Sequence, residues 1–163
     1  MKHAVPDYLD TDIPIIDLLP LFEEGNRGEH LVAKQLNQAF SDKGFLIIIN
    51  HGISQQLINQ TFLEARRFHA QPIDLKQSVL MNSHNNGYMA ISRYNVKTSR
   101  VSDEDAKFDL NEAFFIKRER PADDQLVKDG RRFAGPNEWP STLPGFKENI
   151  LGFTNAVDSL AKS

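Results

Sequence analysis

The chain contains no cysteine. That excludes disulfides, thiolate nucleophiles and thiolate-bound zinc, and it fits a reducing compartment. Long apolar runs are missing as well. The longest is FLIII within GFLIIINHGI, residues 44–53, far short of the roughly 20 residues that span a bilayer. The opening MKHAVPDYLDTDIP has Asp and Pro where a secretory signal needs an apolar segment. Positive charge is not in excess: 19 Lys and Arg stand against 22 Asp and Glu, giving a net charge of −3. Such a balance argues against a nucleic-acid or anionic-membrane surface. The pair Arg131-Arg132 reads as a solvated loop. These absences describe a soluble, cytoplasmic protein with neither nucleic acid nor membrane as a partner.

Signals of catalysis are equally sparse. Of the histidines His3, His30, His51, His69 and His84, no two share a helix turn or alternate strand positions, as a compact metal site requires. None is followed two residues later by a carboxylate. His69 and Asp74 are separated by Pro72, which prevents a shared helical face. There is no Gly-x-Ser-x-Gly elbow and no phosphate loop, and GNRG at 25–28 is too short for a dinucleotide fingerprint. The acidic cluster Asp103, Glu104 and Asp105 lies among polar residues and reads as a solvated face.

What is present is a pattern of helices and a few strands. IPIIDL, residues 13–18, suits an edge strand, since Pro14 cannot donate to a ladder. Asn26, three residues before Glu29, predicts a capping box on a helix with the stripe Leu31, Val32, Leu36, Ala39 and Phe40. Gly44 then ends that helix in a left-handed conformation. Residues 45–49 lack alternation and predict a strand covered on both faces. The Asn50-His51-Gly52 turn follows, with His51 expected to hydrogen-bond the backbone leaving the strand.

Farther on, Ser54 caps a helix with the stripe Leu57, Ile58, Thr61, Phe62, Ala65 and Phe68. Pro72 stops it and opens a short helix through Lys76. NSHNNG, residues 82–87, is a turn leading to Tyr88. A polar loop or short helix covers 98–107. Residues 110–116 alternate, placing Leu110, Glu112, Phe114 and Ile116 on one face. Glu112 therefore needs a partner if buried. After a loop-like region at 119–145, a last helix carries Phe146, Ile150, Phe153, Val157 and Leu160. The buried strand wants neighbours on both sides, and the last helix has no stop signal. The polypeptide completing this α+β fold is accordingly expected beyond Ser163. A small self-contained α+β domain with a fraying terminal helix is the other reading.

In order, IPIIDL, GFLIIINHGI, ARRFHAQPIDLK, NNGYMA, FDLNEAFF and PNEWPSTLPGF resemble the amino-terminal region of the non-haem iron(II), 2-oxoglutarate-dependent dioxygenases related to isopenicillin N synthase. The likeness covers about residues 13–160. It implies an α+β, helix-rich amino-terminal region, residues 1–163, packed on a double-stranded β-helix (jelly-roll) core that is incomplete in this chain. It implies Fe(II) and 2-oxoglutarate as cofactors of the complete enzyme, with a His-x-Asp, a later His and an Arg-x-Ser in a carboxy-terminal half absent from this chain. No catalytic, metal or cosubstrate ligand is assigned to residues 1–163, and the chain alone is expected to be inactive. The partners implied are a small-molecule substrate and that missing half.

The Asn-His-Gly histidine, His51, is not among the family's iron ligands. NNGYMA resembles the segment bordering the substrate, which makes Tyr88 a candidate, with Asn86, Met89 and Arg93 beside it. Tyr88 as a buried aromatic anchoring a turn, and Arg93 as a solvated side chain, remain open. Asp109 and Glu112 match acidic positions of the family strand, whereas Asn111 stands where a Lys or Arg is common. The rival function is a non-catalytic binding or interaction module that has lost the metal-binding half.

Overall fold

The computed structural model describes residues 12–91 and 110–162. Arg93, Asp109, the polar stretch 98–107 and its acidic cluster lie outside the described residues. In chain order the elements are β1 (Ile15–Asp17), α1 (Leu19–Glu23), α2 (Asn26–Asp42), β2 (Ile47–Ile49), α3 (Gln55–His69) and α4 (Ile73–Gln77). They are followed by β3 (Gly87–Met89), β4 (Ala113–Phe115), α5 (Gln125–Lys128) and α6 (Phe146–Leu160). The chain divides into two compact units, one of residues up to Gln55 with those from Asn155 on, the other of Gln56–Thr154.

In the first unit β1 and β2 pair in parallel, Ile16 opposite Ile48, and α1 and α2 make the crossover between them. Parallel strands need such a connection. Ile16, Leu18, Val32 and Ala39 form the buried centre, with Leu21, Leu36, Leu46, Ile48 and Leu160 around it. The α2 stripe is therefore narrower than its pattern suggests, for Leu31 and Phe40 are exposed. Asn26 does not cap. The cap position belongs to Gly25, whose φ of 53° turns the chain directly from α1 into α2 without a side-chain cap bond. Gly44 does take the left-handed conformation, φ 80°, that ends α2. The run at 45–49 contributes only Ile47–Ile49 as strand, half-buried, and Phe45 is exposed.

His51 closes the turn as expected: its Nδ1 accepts from the Ile53 amide at 3.1 Å. That acceptor role puts the ring proton of the neutral form on Nε2. Asn50, at φ 52°, donates from Nδ2 to Asp17 Oδ1 at 2.8 Å, and the same oxygen accepts from the Leu19 amide at 2.9 Å. The Asn-His-Gly turn is thus a structural lock on the end of β1.

The second unit is aromatic at its centre. Phe68, Val79, Tyr88, Phe146 and Ile150 are buried together, with Phe114, Trp139 and Leu143 packed against them. Phe68 meets Phe114 at 4.6 Å, Tyr88 at 5.7 Å and Phe146 at 5.8 Å between ring centroids, distances at which each pair adds about 0.5–1.5 kcal/mol to its area burial.

Strand β3 pairs antiparallel with β4, Tyr88 opposite Phe114. It was not legible beforehand, because a strand of Gly, Tyr and Met shows no period. In β4 the alternation holds for Glu112, Phe114 and Ile116, whereas Leu110 is 90% exposed. In α3, too, the apolar pattern misplaces the face. Phe62 is 64% exposed, Ala65 is exposed, and the wholly buried neighbour of Phe68 is Glu64.

Gly28 is the glycine of the first unit at which an added Cβ would meet backbone. A Cβ there would lie 1.8 Å from the Pro20 carbonyl oxygen, where α1 crosses α2. Ala is favoured over Gly in a helix interior by about 1 kcal/mol. Even so, Gly28→Ala is expected to destabilise by about 1–3 kcal/mol in urea unfolding of the complete gene product, because backbone cannot yield as a side-chain tip does.

Candidate functional site

The densest group of interacting ionisable side chains among the described residues forms where α3, α4, β3 and β4 converge. Glu112 enters from the residue before β4, on the inward side shared with Phe114. Its Oε2 accepts from Lys76 Nζ at 2.8 Å and from the Tyr88 hydroxyl at 2.5 Å. Its Oε1 lies 3.1 Å from His69 Nδ1. An ionised carboxylate only accepts, so His69 carries its proton on Nδ1. Lys76, nearly buried on α4, also donates to the His69 carbonyl at 3.3 Å and lies 5.4 Å from the Tyr88 ring centroid.

The electrostatics follow from these bonds. Lys76, with Tyr88 and His69 assisting, holds the Glu112 carboxyl at about 2, well under its ordinary 4.5, against the opposing effect of burial. The same bond to Glu112 raises Lys76 above its usual value. Burial first, and then the carboxylate, pushes the Tyr88 hydroxyl up. At neutral pH the site therefore holds Glu112 as carboxylate, Lys76 as ammonium and Tyr88 as phenol. Glu112 is half-buried, and the partner expected for it is present three times over. The cation comes from α4 rather than from position 111, and Lys76 was not identified from the sequence because a lone lysine on a short helix looks solvated.

A second carboxylate, this one wholly buried, braces the unit. Glu64 has no exposed surface. It accepts from Arg67 at 2.6 Å, from Gln60 at 2.9 Å and, across to α6, from Asn149 at 2.8 Å. Its signal was faint, a Glu inside an apolar stripe.

Of the candidate substrate residues, Tyr88 and Asn86 have no exposed surface, Met89 is half-buried, and Arg93 lies outside the described residues. The Asn86 amide donates to the carbonyls of Gly135 and Pro136, both at 2.9 Å. Asn82 donates to the Pro136 carbonyl at 3.0 Å and, through its own Oδ1, accepts from the amides of His84 and Asn86. The 82–87 turn is thereby tied to the loop before Trp139. Tyr88 and Asn86 are thus each engaged by other parts of this chain, Tyr88 by Glu112 and Asn86 by the 135–136 backbone.

The sequence matches a known protein family. Residues 13–142 match the family described as "non-haem dioxygenase in morphine synthesis N-terminal". The chain belongs to that family. Kihadalactone A synthase LFS of Citrus sinensis is 30% identical over 155 residues, covering 94% of this chain and 44% of that protein. The 2-oxoglutarate-Fe(II) type oxidoreductase hxnY of Emericella nidulans is 29% identical over 157 residues, covering 93% and 43%. A full-length Neurospora crassa protein, solved in complex with alpha-KG, superposes with a TM-score of 0.70 at 25% identity, covering 91% of this chain and 43% of that one. A 2OG-Fe(II) oxygenase family protein of Caulobacter crescentus shares the fold at a TM-score of 0.71 and 22% identity.

The chain spans less than half the length of these relatives. Among its described residues, no group of three or more His, Asp or Glu is placed to hold a metal ion. His69 and Glu112 do not fit an iron site, since the Lys76 ammonium and the Tyr88 hydroxyl already occupy the carboxylate. None of the helices described is long and apolar enough to cross a membrane.

A carboxyl with a depressed folded pKa stabilises above its unfolded value, and that contribution is lost as pH falls toward the folded value. Between pH 4.5 and about 2 the complete gene product is thus expected to lose about 2–3 kcal/mol through Glu112. Glu112→Gln should remove a similar amount at pH 7, because it leaves a nearly buried ammonium unpaired, and should flatten the acid limb. Urea unfolding across that pH range reads both.

Proposed function

We propose that this chain is the amino-terminal portion of an oxygenase that uses Fe(II) and 2-oxoglutarate to oxidise a small organic substrate. The observation that carries this reading is the family match over residues 13–142, joined to relatives of which the chain covers under half. In this reading residues 1–163 are one amino-terminal region, and the jelly-roll core and metal ligands belong to a carboxy-terminal half. Iron held in that half would supply the oxidation chemistry. The residues of this chain bind, orient and exclude water.

The segment of Asn86, Tyr88, Met89 and Arg93 borders the substrate in the complete enzyme. Tyr88 and Asn86 act by fixing the backbone: one is bonded to Glu112, the other to Gly135 and Pro136. Met89, with surface still accessible, offers the contact. The first unit carries an apolar groove of about 770 Å³, with Val32, Leu36, Phe40, Phe45, Ile48 and Val157 in its walls. The carboxy-terminal half covers it. Exposed apolar surface of this kind marks an interaction face.

The longest natural product of the gene is expected to convert 2-oxoglutarate to succinate in the presence of Fe(II) and to stop when the metal is chelated. A metal-independent or inert product would leave the non-catalytic module as the reading. Residues 1–163 expressed alone are expected to show no turnover, to bind a hydrophobic dye and to aggregate. A monodisperse, cooperatively melting, dye-silent product would contradict the covered groove.

A further inference from the structure

The structure assigns a second binding site, for the carboxylate of a small organic acid, to Lys117 and Arg132 around the Phe133 ring. This inference does not depend on the oxygenase reading. Lys117 Nζ lies 5.3 Å from the Phe115 ring centroid and 5.6 Å from that of Phe133, and the Arg132 guanidinium lies 4.7 Å from the Phe133 centroid. Neither cation has a carboxylate partner among the described residues. Their neighbours differ: Arg120 is paired with Asp124 at 2.8 Å and Lys147 with Glu119 at 2.9 Å. Glu119, two residues from Lys117, is also held by Asn137. Two positive charges beside one aromatic ring, without a carboxylate partner among the described residues, are an arrangement that an anion completes.

The second observation is that the arrangement is built and strained. Phe133 has φ 68°, a region that a bulky non-glycine residue adopts only where its surroundings impose it and that concentrates at ligand sites. The surroundings do impose it. The Ala134 amide bonds the Arg131 carbonyl at 3.1 Å, Ala134 is buried, and Asn82 and Asn86 hold the carbonyls of the next two residues. A Cβ on Gly135 would meet the His84 ring at 2.0 Å, so the loop passes where only glycine fits. On the other side Asn137 clamps the Lys117 backbone, accepting from its amide at 2.8 Å and donating to its carbonyl at 2.9 Å. Three asparagines thus fix the two segments that present the cations.

The rings define the rest of the ligand. Phe115 and Phe133 are 38% and 45% exposed, so they offer apolar surface beside the charges. A flat, apolar-bodied carboxylic acid satisfies both features, its anion meeting the ammonium and guanidinium.

Benzoate is the probe, titrated calorimetrically into the longest natural product of the gene without added iron, with benzamide as its neutral counterpart. Benzoate is expected to bind and benzamide not to. Lys117→Met keeps the apolar stem and removes the charge. Arg132→Gln does the same on an exposed loop, where folding is not at risk. Each should weaken benzoate by about tenfold or more. Absence of benzoate binding, equal binding of benzamide, or unchanged affinity in Arg132→Gln would overturn the assignment, whether or not Lys117→Met folds.

Discussion

Taking a carboxylate even partly out of water costs free energy unless cations and donors replace the lost water, and the second unit meets that demand at Glu112, whose side chain is 24% exposed. The side chain is reached by Lys76 from α4, by the Tyr88 hydroxyl from β3 and by His69 from the end of α3. Elements far apart in sequence are thereby held to one oxygen pair. The aromatic cluster of Phe68, Phe114, Tyr88 and Phe146 supplies the apolar burial beside it. Hydrophobic contact draws these elements together without strong direction, whereas the carboxylate tells them how to sit. Tyr88 belongs to both systems, with its ring in the cluster and its hydroxyl on the carboxylate.

This constraint bears on the proposed substrate-bordering segment. A segment expected to border a substrate must be rigid, since a site held loosely by about 1 Å loses much of its orientation. The turn of residues 82–87 and strand β3 are fixed at one end by Asn82 and Asn86 and at the other by Glu112. Glu64 provides a comparable brace between α3 and α6 through Asn149. None of this is chemistry on a substrate. It is stiffness, given to the turn and strand by side chains of this chain alone.

The elements legible in the sequence were those fixed by local rules. Gly44 ends α2, Pro72 separates α3 from α4, and His51 closes its turn, each through backbone geometry set within a few residues. The alternation that aimed Glu112 inward with Phe114 was local too. What escaped was decided by distant partners. Glu64 is tolerated inside because Arg67 and Asn149 reach it, so an apolar stripe drawn through Phe62 and Ala65 named the wrong face. Lys76 is nearly buried because Glu112 lies across the unit. Asn26 is not the cap because Gly25, at positive φ, takes that position in the two-residue connection between α1 and α2. Strand β3 has no period of its own and exists by pairing with β4. The family resemblance was legible for a different reason: several weak local segments occur in the right order.

The most direct test of the Glu112 anchor is a double-mutant cycle between Glu112→Gln and Lys76→Met, read by native-state hydrogen exchange at the amides of Tyr88 and Met89. Two groups bound in one network should couple by about 2 kcal/mol in the opening free energy of β3. Additivity of the two substitutions within about 0.5 kcal/mol would contradict the account, since it would mean that the carboxylate and the ammonium hold the strand independently.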